Sequence, residues 1–208
     1  MAKRTIAGLS PTRKPARSIA LAGRTRQRIL ALGRRALEKG GPEAVSMRQI
    51  AQRAGITPMA LYYYFQGRDA LLKELCRSEF DRLRKYFSAR GRAPGLQRPL
   101  LAYLDYALGH PRMFLYLFSD VRNDARKFPD DFREGKSPTL NLLAGEIRRG
   151  MEEGRFKKDD LWEVALSAWA QAHGLIVLYL GGRFNVKEDE FKRLYTRSLR
   201  RLWHGLKS

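Results

Sequence analysis

The sequence predicts an all-α protein, in which an N-terminal three-helix bundle with a helix-turn-helix is followed by a larger C-terminal helical domain. Three observations lead to this prediction. Apolar residues recur at helical spacing through most of the chain, glycine and proline separate these stretches, and the second half shows no strand-like alternation. A length of 208 residues suits one small domain and one larger domain.

Residues 46–65 predict two short helices joined by a tight turn. Ser46 opens a capping box for the first helix, and Gly55 can take the left-handed backbone conformation that ends it. Thr57 then caps the second helix, with Pro58 at the first helical position, where no N–H is needed. Such a pair in a basic segment is typical of a helix-turn-helix whose second helix enters the major groove of DNA.

The neighbouring segments complete this unit. A first helix is predicted from near Thr25 to the Gly40-Gly41 turn, and a long helix from Arg68 to roughly residue 88, where its apolar face links the unit to the rest of the chain. Residues 1–23 mix lysine and arginine with proline and glycine. They are predicted to be either a flexible basic arm that lies on DNA or an inert start.

One dense pattern runs through the unit, and it reads Ser46-x-x-x-Ile50-Ala51-x-x-Ala54-Gly55-Ile56-Thr57-x-x-x-Leu61-Tyr62-x-Tyr64-Phe65-x-x-Arg68-x-x-Leu71-Leu72. This pattern resembles the N-terminal domain of TetR/AcrR-type transcriptional regulators. The family often has histidine where Tyr64 stands and lysine where Arg68 stands. The resemblance implies a DNA-binding domain over residues 24–75, followed by a ligand-binding and dimerisation domain over residues 76–208.

Seven side chains are the candidate DNA contacts. They are Arg48, Thr57, Met59, Ala60, Tyr62, Tyr64 and Arg68. Arg48 is expected at a base edge or a phosphate, and Met59 and Ala60 suit thymine methyl groups. The resemblance implies that Tyr62, Tyr64 and Arg68 contact phosphates and position the domain. Tyr63 is predicted to pack within the domain.

The net charge of +20 favours a polyanionic partner. Residues 1–75 carry 15 basic and 4 acidic side chains, whereas the remaining residues carry 26 and 17. The excess is therefore densest beside the helix-turn-helix, which favours phosphate contact over a merely solvated face. An architectural protein that binds duplex DNA without sequence preference remains the alternative, because charge alone supports it equally.

The larger domain offers aromatic and apolar side chains that are either ligand contacts or plain core. The run 113–118 is almost wholly apolar, so it should be buried or line a cavity. The candidate ligand contacts are Tyr103, Met113, Phe114, Leu117, Phe118, Trp162, Trp169 and His173. The resemblance implies that the last two long helices of each subunit pack into a four-helix dimer interface.

Residues 164–182 carry no formal charge and are long enough to span a membrane. Polar residues in their middle favour a buried bundle helix or a dimer-interface helix instead, so no membrane partner is expected. The pattern Trp169-x-x-x-His173-Gly174-Leu175 resembles a motif in the C-terminal domain of one group of TetR-type regulators.

The single Cys76 excludes an internal disulfide and fits a reducing cytosol, and no secretory signal is recognised. The three histidines are scattered, so neither a metal spacing nor a catalytic pair is predicted, and no cofactor or enzyme activity is expected. The resulting hypothesis is a cytoplasmic, ligand-responsive transcriptional repressor. It is expected to bind palindromic operator DNA as a homodimer and to be released by a small hydrophobic or amphiphilic ligand.

Overall fold

In the computed structural model the described residues, 14–89, 97–118 and 125–207, form helices joined by short connections. The α-helices are α1 (Lys14–Gly40), α2 (Met47–Ala54), α3 (Pro58–Tyr64), α4 (Arg68–Ala89), α5 (Gln97–Gly109), α6 (Pro111–Phe118), α7 (Asp130–Arg133), α8 (Pro138–Glu152), α9 (Leu161–Leu180) and α10 (Glu188–Leu206). A 3₁₀ turn at Pro42–Ala44 follows α1, and the extended pairing within these residues is one isolated bridge between Phe156 and Lys207. The predicted all-α fold class is confirmed.

α1 begins at Lys14, so the predicted start near Thr25 is wrong. The apolar run 19–22 consists of residues that a helix tolerates well, and the single glycine after it costs only about 1 kcal/mol relative to alanine. Pro15 falls in the first turn, where its missing N–H is not needed. The prediction of a flexible arm is therefore wrong for this part, and its remainder, residues 1–13, lies outside the described residues.

Both predicted caps of the helix-turn-helix are confirmed. Ser46 Oγ accepts a hydrogen bond from Gln49 N at 3.4 Å, and Thr57 Oγ1 accepts one from Ala60 N at 3.1 Å. Gly55 lies between them in the left-handed region, with φ of 67°, and ends α2. The buried core of the unit contains Ile29, Leu37, Ile50, Ala51, Ala54, Leu61, Phe65, Leu71 and Leu75.

α4 passes from this unit into the C-terminal half. It packs on α1 near its start, and on α5 and α8 further along. Leu71, Leu75, Leu83 and Phe87 are buried along it, which confirms the predicted apolar face. One helix therefore contributes buried residues to the cores of both halves.

The C-terminal helices begin and end at signals that the sequence predicts. α5 ends at Gly109, and α8 begins at Pro138. Asp160 caps α9, because its Oδ1 accepts hydrogen bonds from Trp162 N at 2.9 Å and Glu163 N at 3.0 Å. These caps satisfy backbone N–H groups that have no acceptor within the helix.

α9 is long and apolar enough to cross a membrane by length and composition, and 28% of that apolar window is buried inside the chain. α10 covers part of it: Gln171 Nε2 donates a hydrogen bond to Ser198 Oγ at 2.7 Å, and the Tyr179 and Phe191 rings stack with centroids 4.0 Å apart. Leu178, near the end of α9, is 48% exposed. Most of the other residues of α9 are only partly covered by their own chain, and Ala170 is exposed as well.

Candidate nucleic-acid interface and apolar cavity

α3 turns large side chains toward solvent. Met59 is 80% exposed, Tyr63 is 87% exposed and Tyr62 is 49% exposed, while Leu61 is fully buried in the core of the unit. Thr57, at the exposed start of the helix, serves as its cap. One face thus anchors α3, and the rest presents a contiguous aromatic and apolar surface, which on a soluble chain marks an interaction site.

The prediction that Tyr63 packs within the domain is wrong. Its exposed ring contacts the Tyr64 ring edge-on, with the two centroids 5.7 Å apart. Consecutive residues lie about 100° apart around a helix, so three tyrosines in a row cannot share the inward face that Leu61 sets. Tyr64 takes the half-buried place against the core, and Tyr63 faces outward.

Arg68 binds within the chain. Its Nη2 donates a hydrogen bond to the Pro42 carbonyl oxygen at 2.6 Å, and its Nε donates one to the Val45 carbonyl oxygen at 3.2 Å. Glu43 Oε1 lies 3.6 Å from the same Nη2. The guanidinium therefore ties the start of α4 to the 3₁₀ turn, and the 37% of the side chain that stays exposed is the part that a phosphate can reach.

The surface around α2 and α3 is positively charged. Residues 47–64 contain two arginines and no acidic residue. Arg48 and Arg53 are exposed, and Arg28 of α1, also exposed, donates a hydrogen bond from Nη2 to the Arg53 carbonyl oxygen at 3.3 Å. Clustered positive charge beside an exposed helix is the electrostatic footprint of a nucleic-acid site.

The seven candidate DNA contacts fall into two groups. The exposed ones are Arg48, Thr57, Met59 and Tyr62, and the half-buried ones are Ala60, Tyr64 and Arg68. The exposed group combines the N-terminal half of α2 with the outer face of α3. That arrangement gives one surface that can meet base edges and phosphates together.

A cavity of about 160 Å³ lies among helices α4 to α9. Its walls are Phe80, Phe87, Pro99, Leu100, Tyr103, Leu117, Phe118, Ala125, Arg126, Phe132, Ser137, Thr139, Leu140, Leu143 and Trp169. A cavity of about 150 Å³ with apolar walls holds one benzene molecule. The size and lining are therefore those of a site for a small, mainly apolar compound.

The eight candidate ligand contacts divide equally between the wall and its surroundings. The four that line the cavity are Tyr103, Leu117, Phe118 and Trp169. Met113 and Phe114 are fully buried, Trp162 lies half-buried in the first turn of α9, and His173 lies beside Tyr103. None of these last four residues lines the cavity.

Tyr103 is the centre of an aromatic cluster that supports the wall. Its ring lies 5.0 Å from the Phe114 ring and 5.2 Å from the Phe118 ring between centroids, and its hydroxyl lies 3.0 Å from His173 Nδ1. Burial raises the pKa of Tyr103 well above its ordinary value and lowers the pKa of His173 below 6.5. Both groups are therefore neutral at neutral pH, and their contact orients the Tyr103 ring.

Several wall residues were not predicted as ligand contacts. Phe80 and Phe87 follow the predicted apolar face of α4, but a helical pattern does not tell a cavity wall from a filled core. Arg126 and Phe132 come from a polar segment that predicts a loop with a short helix. The sequence signal that could have identified Phe132 is Phe128, which lies four residues before it, at the spacing of one helical face. In the structure the two rings are in contact, with centroids 5.8 Å apart. The described residues contain no group of His, Cys, Asp and Glu that is placed to hold a metal ion.

An exposed cationic helix-turn-helix, joined by one long helix to a domain with an apolar cavity, defines a DNA-binding transcription regulator with a small-molecule site. Residues 29–75 match the family described as bacterial regulatory proteins, tetR family. Residues 96–202, half of the chain, match the tetracyclin repressor-like C-terminal domain. The chain belongs to the TetR family of bacterial regulatory proteins, whose members bind DNA and small-molecule effectors.

Individual relatives agree with this placement. The HTH-type transcriptional repressor KstR of Mycolicibacterium smegmatis is 28% identical over 154 residues, which are 69% of this chain and 76% of that protein. A Rhodococcus sp. RHA1 protein of unknown function has a TM-score of 0.74 and 25% identity, over 88% of this chain and 96% of that one. FadR of Bacillus subtilis, solved with stearoyl-CoA, has a TM-score of 0.67 and 14% identity over 86% and 98%, which shows the fold alone.

Proposed function

We propose that this ligand-responsive transcriptional repressor binds palindromic operator DNA as a homodimer and leaves it when a small hydrophobic or amphiphilic ligand enters the C-terminal cavity. The observation that carries the proposal is the outer face of α3, where Met59 is 80% exposed and Tyr63 is 87% exposed beside the exposed Arg48. Such a surface suits a major groove, which offers methyl groups, base edges and flanking phosphates together.

Each candidate contact has a proposed role. Arg48, Thr57, Met59 and Ala60 meet base edges, because they surround the N-terminal end of α3, the end that enters the groove. Tyr62, Tyr63, Tyr64 and the exposed part of Arg68 contact phosphates. The two hydrogen bonds of Arg68 to the 3₁₀ turn hold it in place for that contact.

The homodimer is supported by α9. Only 28% of the apolar stretch of this helix is fully buried in its own chain, and Leu178 on it is 48% exposed. A second copy that covers the same face removes apolar area from water on both sides. The dimer then places two copies of α3 about 34–36 Å apart, or a multiple of that distance, on the two half-sites of a palindrome.

Control by a ligand is supported by α4. Leu71 and Leu75 of this helix are buried in the DNA-binding unit, and Phe80 and Phe87 of the same helix line the cavity. A ligand that binds one position of Phe80 and Phe87 better than another therefore biases the position of α4, and with it the angle of α3. The mainly apolar lining supports a hydrophobic or amphiphilic ligand.

We further propose that residues 24–75 are the DNA-binding domain and residues 76–208 the ligand-binding and dimerisation domain, a division that the two separate family matches support. The pattern around Trp169 and His173 supports the further proposal that the chain belongs to the group of TetR-type regulators that carries Trp-x-x-x-His-Gly. A cytoplasmic location suits a regulator whose partner is DNA.

The test is a gel shift with the DNA upstream of the protein's own gene, against a random duplex of equal length at physiological salt. A specific regulator should prefer its operator by at least about 10³-fold. Equal affinity for both duplexes supports the architectural alternative and contradicts the repressor. Light scattering should give the mass of a dimer for the protein alone. For the complex, it should give two copies of the chain for each operator duplex.

A further inference from the structure

One face of α10 carries a row of positive charges. Four exposed arginines lie along it, and we call them the α10 stripe: Arg193, Arg197, Arg200 and Arg201. The opposite side of the helix is buried in the core of the chain, through Phe191, Tyr195, Leu199 and Trp203. Residues 191–207 contain six lysines and arginines and neither aspartate nor glutamate. The stripe is therefore a solvent-facing surface of one sign.

The α10 stripe has no counter-charge within the described parts of the chain. Lys192, beside it, pairs with Glu188 at 2.6 Å, whereas the four arginines make neither an ion pair nor a side-chain hydrogen bond with a described residue. The helix dipole stabilises cations in the last turn of a helix, where His204 lies, and the stripe precedes that turn. Neither ion pairing nor the dipole therefore accounts for these charges.

The spacing of the α10 stripe brings like charges together. Arg193 and Arg197 are four residues apart, and so are Arg197 and Arg201. Like charges at this spacing are neighbours on a helix surface and destabilise the helix. An anionic partner that lies along the stripe would remove this repulsion, and the field of the stripe would attract such a partner.

The α10 stripe belongs to the C-terminal half of the chain. α10 packs on α9 and α5, whereas α2 packs on α1 and α3. The contacts of α10 with α9 include Ser198 and Phe191, which lie on the other side of α10 from the stripe. The stripe is thus a second cationic surface, carried by different helices from those of the helix-turn-helix.

We infer that the α10 stripe is a second binding surface for duplex DNA, one that does not read sequence. Arginine is the side chain best suited to phosphate, because its planar guanidinium donates two parallel hydrogen bonds. From Arg193 to Arg201 the helix rises by about 12 Å. Each strand of a duplex has one phosphate per about 3.4 Å of its axis, so several phosphates can lie opposite the stripe. Contacts to phosphate alone carry no sequence information.

A membrane surface suits the α10 stripe less well than DNA. A helix that lies in a membrane interface buries its apolar face among the lipids. The apolar face of α10 is already buried in the core of the chain, and the exposed face offers arginines instead. A repressor that holds its operator through α3 can therefore hold a second stretch of DNA through α10. This inference goes beyond the proposed operator complex and does not depend on it.

The test is an arginine footprint of the natural chain with a random duplex at low salt. Phenylglyoxal modifies exposed arginines, and mass spectrometry measures the modification at each site. Saturating duplex should slow modification of the four stripe arginines at least about tenfold, because a bound phosphate covers the guanidinium. Arg148 and Arg183, which are exposed elsewhere, are the internal controls and should react at an unchanged rate. High salt should abolish the protection.

A pair of variants with equal charge gives the second measurement. The stripe variant combines Arg193→Gln, Arg197→Gln, Arg200→Gln and Arg201→Gln. The scattered variant removes the same charge from separate exposed positions, and it combines Lys85→Gln, Lys127→Gln, Arg148→Gln and Arg183→Gln. At low salt, analytical ultracentrifugation should show fewer random duplexes bound per chain for the stripe variant than for the scattered variant. Both variants should bind the operator within about threefold of the natural affinity at physiological salt, because neither changes the contacts that select it.

Three results of the footprint overturn the inference. The first is a stripe that reacts equally with and without duplex. The second is a stripe that reacts slowly before DNA is added, since a second copy of the chain then covers it. The third is protection by phosphatidylglycerol vesicles and not by duplex, which would assign the stripe to a membrane surface.

Equal numbers of duplexes bound by the stripe and scattered variants also overturn the inference. The footprint uses the natural chain, so it decides the question even if the stripe variant fails to fold, which thermal melting will report. The operator gel shift is read separately. An operator that is not recognised contradicts the proposed repressor and leaves the footprint with random duplex as the measure of the stripe.

Discussion

Arg34 Nε of α1 lies 2.7 Å from Glu79 Oε1 of α4, and Glu79 is fully buried. Tyr106 of α5 donates a hydrogen bond from its hydroxyl to the other carboxylate oxygen at 3.0 Å. Burial raises the pKa of Glu79, and the positive charge of Arg34 opposes that shift. One carboxylate thus joins a helix of the DNA-binding unit, the long linking helix and a helix of the cavity wall.

Glu79→Ala should lower the free energy of unfolding by about 2–3 kcal/mol, because it leaves Arg34 and the Tyr106 hydroxyl without their buried acceptor. Arg34 is 28% exposed, so water screens part of the loss. Urea denaturation measures the change. Asp81→Asn is the matched control on the same helix: its pair with Arg84 is more than half exposed, and its loss should cost less than about 0.5 kcal/mol. Equal effects of the two substitutions would contradict the buried role.

Arg48→Ala and Tyr62→Ala should each weaken operator binding by about tenfold or more, because each removes a proposed base or phosphate contact. Both side chains are exposed, so the fold and the dimer should be unaffected. Gel shifts measure affinity, and light scattering measures the dimer. Arg148→Ala, which removes an exposed arginine from α8, is the control and should bind operator normally. A variant that becomes monomeric would show that the division between DNA-binding unit and core is wrong.

The helix-turn-helix was predictable because the ends of its helices are set by residues close together in the sequence. Ser46, Gly55 and Thr57 act through hydrogen bonds and backbone angles within four residues, so a short stretch of sequence contains the information. The start of α1 was not predictable in the same way. Arg13, the residue before Lys14 in the sequence, is not one of the residue types that usually cap a helix. Proline, glycine and arginine in that stretch favour a loop, although none of them prevents a helix where it stands.

The cavity was predictable in part. Leu117 and Phe118 belong to a run that is apolar on every side, so burial or a cavity wall was expected of them. Phe80 lies on an apolar stripe whose members are mostly core, and Arg126 comes from a polar connection. Whether such residues meet a cavity depends on how several helices pack together, and local periodicity contains no record of that packing.

Gly150→Ala should destabilise the protein by about 1–3 kcal/mol, the usual cost of overpacking. A Cβ at this position of α8 would overlap the Phe156 ring. That ring is buried, and the backbone of Phe156 is held by its isolated bridge to Lys207. Gly145→Ala, on the same helix, is the control. It is exposed with open space around its Cβ, so alanine should stabilise by up to about 1 kcal/mol through helix propensity. Thermal melting of the two variants should therefore shift in opposite directions.

His173 should make stability depend on pH near neutrality. Its described neighbours are the rings of Phe114, Phe118 and Trp169 and the hydroxyl of Tyr103, and burial among them lowers its pKa from 6.5. Above pH 6.5 the imidazole is neutral in both the folded and the unfolded chain. As the pH falls below that value the unfolded chain takes up a proton first, so the free energy of unfolding decreases until the folded pKa is passed.

His173→Gln should remove this share of the pH dependence, because glutamine stays neutral throughout. Urea denaturation at about pH 7.5 and about pH 5.5 measures this share. Between the higher and the lower pH, the free energy of unfolding of the natural chain should fall by about 1.4 kcal/mol more than that of the variant for each unit by which folding lowers the pKa of His173. Burial raises the pKa values of Glu79, which is fully buried, and of Glu38, which is partly buried. Their contributions to the free energy of unfolding therefore fall as the pH rises above 4.5, opposite in direction to the effect of His173. They are present in both proteins and cancel in the comparison. Parallel pH profiles of the two proteins would mean that water or a partner group solvates the His173 ring.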